Sequence, residues 1–197
     1  MNIVKFFNDL TDGHLLAWKT SVASLIVVLA ALQVALAGRF WAGRGLPLPP
    51  ATASAVHRWN GRALLVLSLL LGYVCLLTQA GPTDPLRILL HSVFGATLFV
   101  LLGAKLTVLH VVRGRRSWLP WLGTGLFVNY VALWLLSAVD YVRNSTAPEP
   151  STLLDVWVAL AALGTVALGG LGMFALARPS RMAVVIPETP MTVTPRS

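Results

Sequence analysis

Long apolar stretches alternate with short polar connections along the whole chain. The apolar stretches lie near residues 21–38, 63–79, 88–112, 119–139 and 153–177. Each one is long enough to cross the hydrocarbon core of a bilayer, which takes about 20 residues in a helix. The pattern predicts an all-α integral membrane protein, a bundle of about five transmembrane helices, with spans at about 15–37, 55–79, 86–112, 118–141 and 152–177.

The polar connections are too short to form a second domain. We expect residues 1–177 to be a single transmembrane domain and residues 178–197, which contain several prolines, to be an extended or disordered cytoplasmic tail. The connection at 80–85 reads Ala-Gly-Pro-Thr-Asp-Pro, so the second and third spans are predicted to form an antiparallel hairpin. Asp9 and Asp12 precede the first apolar stretch and favour a retained span over a cleaved signal peptide.

Composition supports the membrane interpretation, and it changes how the net positive charge of the chain is interpreted. Hydrophobic residues make up 56% of the chain and charged residues 11%, whereas a soluble domain averages about 25% charged residues. The net charge of +8 would suggest nucleic acid for a soluble protein. Here the basic residues lie in short loops, where membrane topology explains them, so no nucleic-acid partner is expected.

The basic residues are divided unequally between the two ends of the predicted bundle. One end carries the arginines of the loops 38–56 and 113–117 and of the tail. They are Arg39, Arg44, Arg113, Arg115, Arg116, Arg178, Arg181 and Arg196. The positive-inside rule then predicts the N-terminus outside and the C-terminus in the cytoplasm. A composition rich in Ala, Leu, Gly and Arg but poor in Lys suggests a bacterial genome, so the expected location is the bacterial plasma membrane.

The four histidines fall at two depths of this topology. His57 begins the second span and His110 nearly ends the third, and the two are equally distant from the middle of the turn between them. Antiparallel helices would therefore bring His57 and His110 to one level at the inner face. His14 and His91 both fall near the outer face.

Two imidazoles at one depth on different helices are what a helical bundle needs to hold haem b. Three of the histidines also have a glycine on the same helical face, where a porphyrin would need room. The pairs are His57 with Gly61, His91 with Gly95 and His110 with Gly103. The alternative is that such histidines bond a carbonyl or face headgroups, above all His14. Covalent haem is excluded because the chain has one cysteine and no C-x-x-C-H motif.

The hairpin with His57-Arg58-x-x-Gly61 and His91-Ser92-x-x-Gly95 resembles the membrane cytochromes b of the ascorbate-reducible and ferric-reductase-like families. The resemblance covers mainly residues 53–116. It implies electron transfer across the membrane, with one haem b near each face. Those families usually place ligands on four helices, whereas the fourth and fifth spans here contain no histidine. A single haem on His57 and His110 is therefore an open variant.

Other polar residues in or near the spans have two interpretations each. Arg58 and Arg62 would neutralise haem propionates or extend to anionic headgroups. Lys105, deeper in the third span, would approach a propionate, extend to the interface or face a water-filled gap. Asn129 and Tyr130 would line a quinone pocket or form internal hydrogen bonds.

Two functions from different classes follow. The first is a membrane haem b protein that transfers electrons, alone or as a subunit of a larger redox complex, with membrane lipid around it and a quinone or a redox protein as partner. The second is a haem-free assembly or accessory subunit that uses the glycines of the fifth span for contact. These are Gly164, Gly169, Gly170 and Gly172. A third possibility, a small transporter or channel, is not supported, because the sequence shows neither a pair of broken helices nor a row of polar residues along the spans.

Overall fold

The structure, a computed structural model, describes residues 3–11, 13–44, 46–78, 84–111, 118–144 and 152–177, and these residues form helices and no strand. The helices are α1 (Ile3–Leu10), α2 (Leu15–Trp41), α3 (Pro50–Thr78), α4 (Pro85–His110), α5 (Leu119–Asn144), α6 (Thr152–Gly164) and α7 (Gly170–Ala177), with a π-helical turn (Thr165–Gly169) joining the last two. Five membrane crossings result, α6 to α7 being one of them. The predicted all-α membrane bundle is confirmed.

The helices begin and end within a few residues of the predicted spans, except that α3 starts earlier. It begins at Pro50, since proline fits the first turn of a helix, where no backbone N–H is needed. Asp84 caps α4, its carboxylate accepting from the Leu86 N–H at 3.0 Å. Residues 79–83, which hold most of the predicted turn, and the predicted tail at 178–197 lie outside the described residues.

The first crossing, α2, is the centre of the bundle. It packs against α3, α5 and the whole of the last crossing. Its most apolar window is 56% buried, compared with 6% for that of α4. Ala30, Ala31 and Ala35 are buried along it, and such small side chains allow several helices to approach one axis.

The last crossing packs on α2 and α5 through glycine. A Cβ built at Gly172 would lie 2.6 Å from the Ala35 backbone nitrogen, so α7 and α2 are in backbone contact. Gly169, in the π-helical turn, lies against the ring of Phe127 on α5. Two of the glycines that suggested a partner interface are therefore used for packing within the chain.

The third crossing, α4, lies at the periphery and packs mainly on α5. It meets α3 where the Phe99 ring covers Gly72, and a Cβ at Gly72 would lie 2.7 Å from Phe99 Cζ. We call the end of the bundle at which α3 begins and α4 finishes the basic end. Between the Gly72 contact and the basic end, the space between α3 and α4 is a cavity.

Candidate functional site

The cavity at the basic end has a volume of about 750 Å³. Its walls are mostly apolar and come from α2, α3, α4 and α5, with Ala30, Leu64, Leu102 and Phe127 among them. Five basic side chains line it: His57, Arg58, Arg62, Lys105 and His110. None of the lining residues within the described ranges is acidic. The cavity therefore has the character of a site for an amphipathic anion.

His57 and His110 reach the cavity from different helices at similar depth. The register comes from the contact between Gly72 and Phe99. His57 lies 15 residues from Gly72, and His110 lies 11 residues from Phe99, both toward the basic end. At 1.5 Å per residue, the two histidines differ in depth by about 6 Å, roughly one helical turn.

The imidazole of His110 has the hydrogen bonding of a metal ligand. Its Nδ1–H donates to the Leu106 carbonyl oxygen one turn back, at 3.0 Å. This bond selects the tautomer in which Nε2 carries the lone pair. Histidines that bind metals usually donate their other ring N–H to a carbonyl or carboxylate in this way, so the imidazole is prepared to coordinate through Nε2.

The imidazole of His57 ends a chain of hydrogen bonds that crosses from α3 to α2 and back. Asn60 Nδ2 donates to the Leu29 carbonyl oxygen at 2.8 Å and to Gln33 Oε1 at 2.7 Å. Gln33 Nε2 lies 2.9 Å from His57 Nε2. With Oε1 taken by Asn60, the amide nitrogen of Gln33 is the donor, so His57 Nε2 accepts and its ring proton lies on Nδ1.

Gly61, predicted to make room for a porphyrin beside His57, makes room for Gln33. A Cβ at this position would lie 3.1 Å from Gln33 Nε2. That distance is shorter than an ordinary carbon–nitrogen contact, so a side chain at position 61 would push the Gln33 amide by a few tenths of an ångström. The glycine and the glutamine thus form one local arrangement around His57.

The two guanidinium groups that line the cavity have partners on α3. Arg58 Nη1 donates to Ser54 Oγ at 2.9 Å, and the Arg62 guanidinium lies 4.7 Å above the centre of the Trp59 ring. Lys105 lies on the opposite wall and is half-buried.

The structure brings together only part of the predicted site. His57, His110, Gly61, Arg58 and Arg62 line one cavity. The other predicted residues do not line it: they are His14, His91, Gly95 and Gly103. His14 is exposed at the start of α2, and His91 is half-buried on α4 toward the opposite end. Within the described ranges no three His, Cys, Asp or Glu side chains cluster as a metal site, and haem b would need two histidines.

Gln33, Asn60 and Tyr130 contribute more than the sequence suggested. Gln33 and Asn60 were visible only as polar residues within apolar helices, which are expensive there and usually paired. Tyr130 lines the cavity, and its hydroxyl lies 2.8 Å from Ser68 Oγ. Because Ser68 donates to the Leu64 carbonyl, Tyr130 is the donor between the two hydroxyls, which is the internal hydrogen bond predicted for it. Asn129, for which the same was predicted, does not line the cavity, and its buried Oδ1 has no hydrogen-bond partner among the described residues.

Residues 7–149 match the model of a protein family described as a family of unknown function, DUF6529. The chain belongs to this family. The matched region holds four of the five crossings, α2 to α5, all four histidines and every residue that lines the cavity except Leu176. No curated protein and no solved structure matches the chain.

Proposed function

We propose that this chain is a membrane haem b protein that holds one haem between His57 and His110 and transfers electrons across the membrane. One observation carries the proposal: two histidines from two helices line a single cavity at similar depth. The cavity volume of about 750 Å³ falls within the range of about 300–1,000 Å³ that is common for cofactor sites.

The lining residues fit the parts of a haem b group. The apolar side chains of the four helices suit the macrocycle, and the cations at the mouth, Arg58 and Arg62 with Lys105 behind them, suit two propionate carboxylates. His110 offers an Nε2 lone pair. His57 offers one only after its hydrogen bond with Gln33 breaks.

When bound, haem supplies a one-electron redox couple, and the chain supplies the surroundings that set its potential. The apolar walls limit the access of water, and the arginines balance the charge of the carboxylates. With the N-terminus outside and the C-terminus in the cytoplasm, the site would lie near the cytoplasmic face of a bacterial plasma membrane. A quinol or a redox protein, free or within a larger complex, would then serve as donor or acceptor.

Absorption spectroscopy of the purified protein tests the proposal. We expect wild-type protein, expressed with haem supplied, to show a Soret band and one haem per chain by pyridine haemochrome. His110→Ala should lose most of its haem, and His57→Ala should change the spectrum. His14→Ala and His91→Ala are matched controls, because neither histidine lines the cavity.

Three results would contradict the proposal in different ways. Colourless wild-type protein would remove the haem and favour the accessory subunit. Full haem content with unchanged spectra in both His57→Ala and His110→Ala would place the haem elsewhere. Two haems per chain, with one lost in His91→Ala, would show that the outer histidines form a second site.

A further inference from the structure

We infer that Gln33 is a positioning residue that determines whether His57 can reach iron. The inference rests on the proposed function, because it concerns the same cavity. Its structural basis is independent of haem: the Gln33 amide nitrogen lies 2.9 Å from His57 Nε2. The lone pair that would coordinate iron is therefore held by a side chain of another helix.

The direction of this hydrogen bond follows from the Leu29 carbonyl, at the other end of the series of hydrogen bonds. The Leu29 carbonyl oxygen only accepts, so the Asn60 atom beside it is the amide nitrogen. The same nitrogen donates to Gln33, which places Oε1 toward Asn60 and Nε2 toward His57. Neither amide can be reversed without setting two donors or two acceptors against each other. The three hydrogen bonds together therefore make His57 Nε2 an acceptor.

The packing around Gln33 supports the same position. Asn60 is buried, and Gly61 leaves room for the Gln33 amide and for little else, since a Cβ there would lie 3.1 Å from it. A methyl group at position 61 would therefore press on the atom that bonds His57. The position of the imidazole of His57 therefore depends on the two amides and on the space that Gly61 leaves.

The two candidate ligands therefore differ in whether the Nε2 lone pair is available to bind iron. His110 donates through Nδ1 to its own helix, which leaves Nε2 available. His57 exposes Nε2 only when Gln33 withdraws. We expect haem to be held first by His110, with His57 becoming the second ligand in the fraction of molecules in which the Gln33 bond is broken. Gln33 then sets the ratio of six-coordinate, low-spin haem to five-coordinate, high-spin haem.

The hydrogen bond can be tested without haem. Nitrogen-15 NMR of haem-free protein, with the His57 signals assigned by their loss in His57→Ala, should show the proton on Nδ1 in the wild type. Gln33→Glu presents a carboxylate oxygen, so the proton should appear on Nε2. Gln33→Leu removes the donor and should abolish the hydrogen-bonded shift. Thr124→Val, which alters another polar residue of the cavity lining, should leave the His57 signals unchanged.

Haem-loaded protein tests the consequence for iron. We expect the low-spin to high-spin ratio to rise about fivefold in Gln33→Leu, the size expected for loss of one competing hydrogen bond. The ratio should fall in Gln33→Glu, because a carboxylate holds an N–H at Nε2 more strongly than an amide holds the lone pair. Gly61→Ala, which displaces the amide, should shift the ratio in the same direction as Gln33→Leu but less.

The outcomes separate this inference from the proposed function. A change of the same sign in Gln33→Leu and Gln33→Glu would mean that Gln33 serves only to pack the helices, and would overturn the inference. Unchanged NMR spectra in both variants would overturn it as well, while leaving the haem proposal intact. Wild-type protein that takes up no haem would overturn the proposed function and the part of the inference that concerns iron.

Discussion

The backbone contact between α7 and α2 makes a sharp prediction about Gly172. A Cβ at this position would lie 2.6 Å from the Ala35 nitrogen and the Val34 carbonyl carbon, and 2.7 Å from the Val34 oxygen. Nonbonded heavy atoms prefer about 3.5–4.0 Å, so Gly172→Ala requires α7 to move from α2 by roughly 1 Å. The obstructing atoms are backbone and have no rotamer that moves them aside.

The expected cost of Gly172→Ala follows from two opposing effects. Overpacking of a close contact typically costs about 1–3 kcal/mol, and replacing glycine by alanine within a helix returns about 1 kcal/mol. Gly170→Ala is a matched control two residues away, since nothing lies within 4 Å of a Cβ there. The difference in the free energy of unfolding between the two variants should isolate the packing cost, about 1–3 kcal/mol.

Thermal unfolding in one detergent, followed by tryptophan fluorescence, measures this difference. We expect Gly172→Ala to unfold at a lower temperature than Gly170→Ala, and Gly170→Ala to match or exceed the wild type. Equal midpoints for the two variants would refute the backbone contact between α7 and α2. A lower midpoint for Gly170→Ala alone would show that the other side of α7 is the packed one.

Two further contacts give predictions for the same assay. Trp134→Phe removes the indole N–H that donates to Ser24 Oγ at 2.9 Å, so we expect the free energy of unfolding to fall by about 1 kcal/mol. The losses in Trp134→Phe and Ser24→Ala should not add in the double variant. Additive losses would argue against the hydrogen bond. Gly72→Ala should destabilise less than Gly172→Ala, because the Phe99 ring that covers it is able to turn aside. Gly95→Ala, with nothing within 4 Å of its Cβ, should match or exceed the wild type, since alanine favours a helix more than glycine does.

The helices were predictable because their cause is local. A bilayer requires every backbone group to be satisfied within its own helix, so the length and apolarity of each stretch suffice to locate a span. The second span was predicted from about residue 55, whereas α3 starts at Pro50, because proline fits the first turn of a helix well. The π-helical turn at Thr165–Gly169 has no comparable sequence signal.

The part of the candidate site that was predictable is the one that depends on how deep each residue lies in the membrane. The number of residues between His57 and His110 predicts one level for the two, and both line one cavity. The contact between Gly72 and Phe99 sets a register that separates them by about 6 Å. Gly61, predicted to make room for a porphyrin, lines the cavity, and its contact with Gln33 was not predicted. Gln33 lies 24 residues before His57, and nothing in their separate helices indicates which faces meet.

The sequence by itself determined how many times the chain crosses the membrane and where each crossing falls, because these properties depend on hydrophobicity and on the fixed rise of a helix. The tertiary structure decided which helix is central, which glycines are covered and which nitrogen of His57 carries the proton. Those properties depend on how helices are rotated against one another, and rotation is set by packing between residues far apart in the chain.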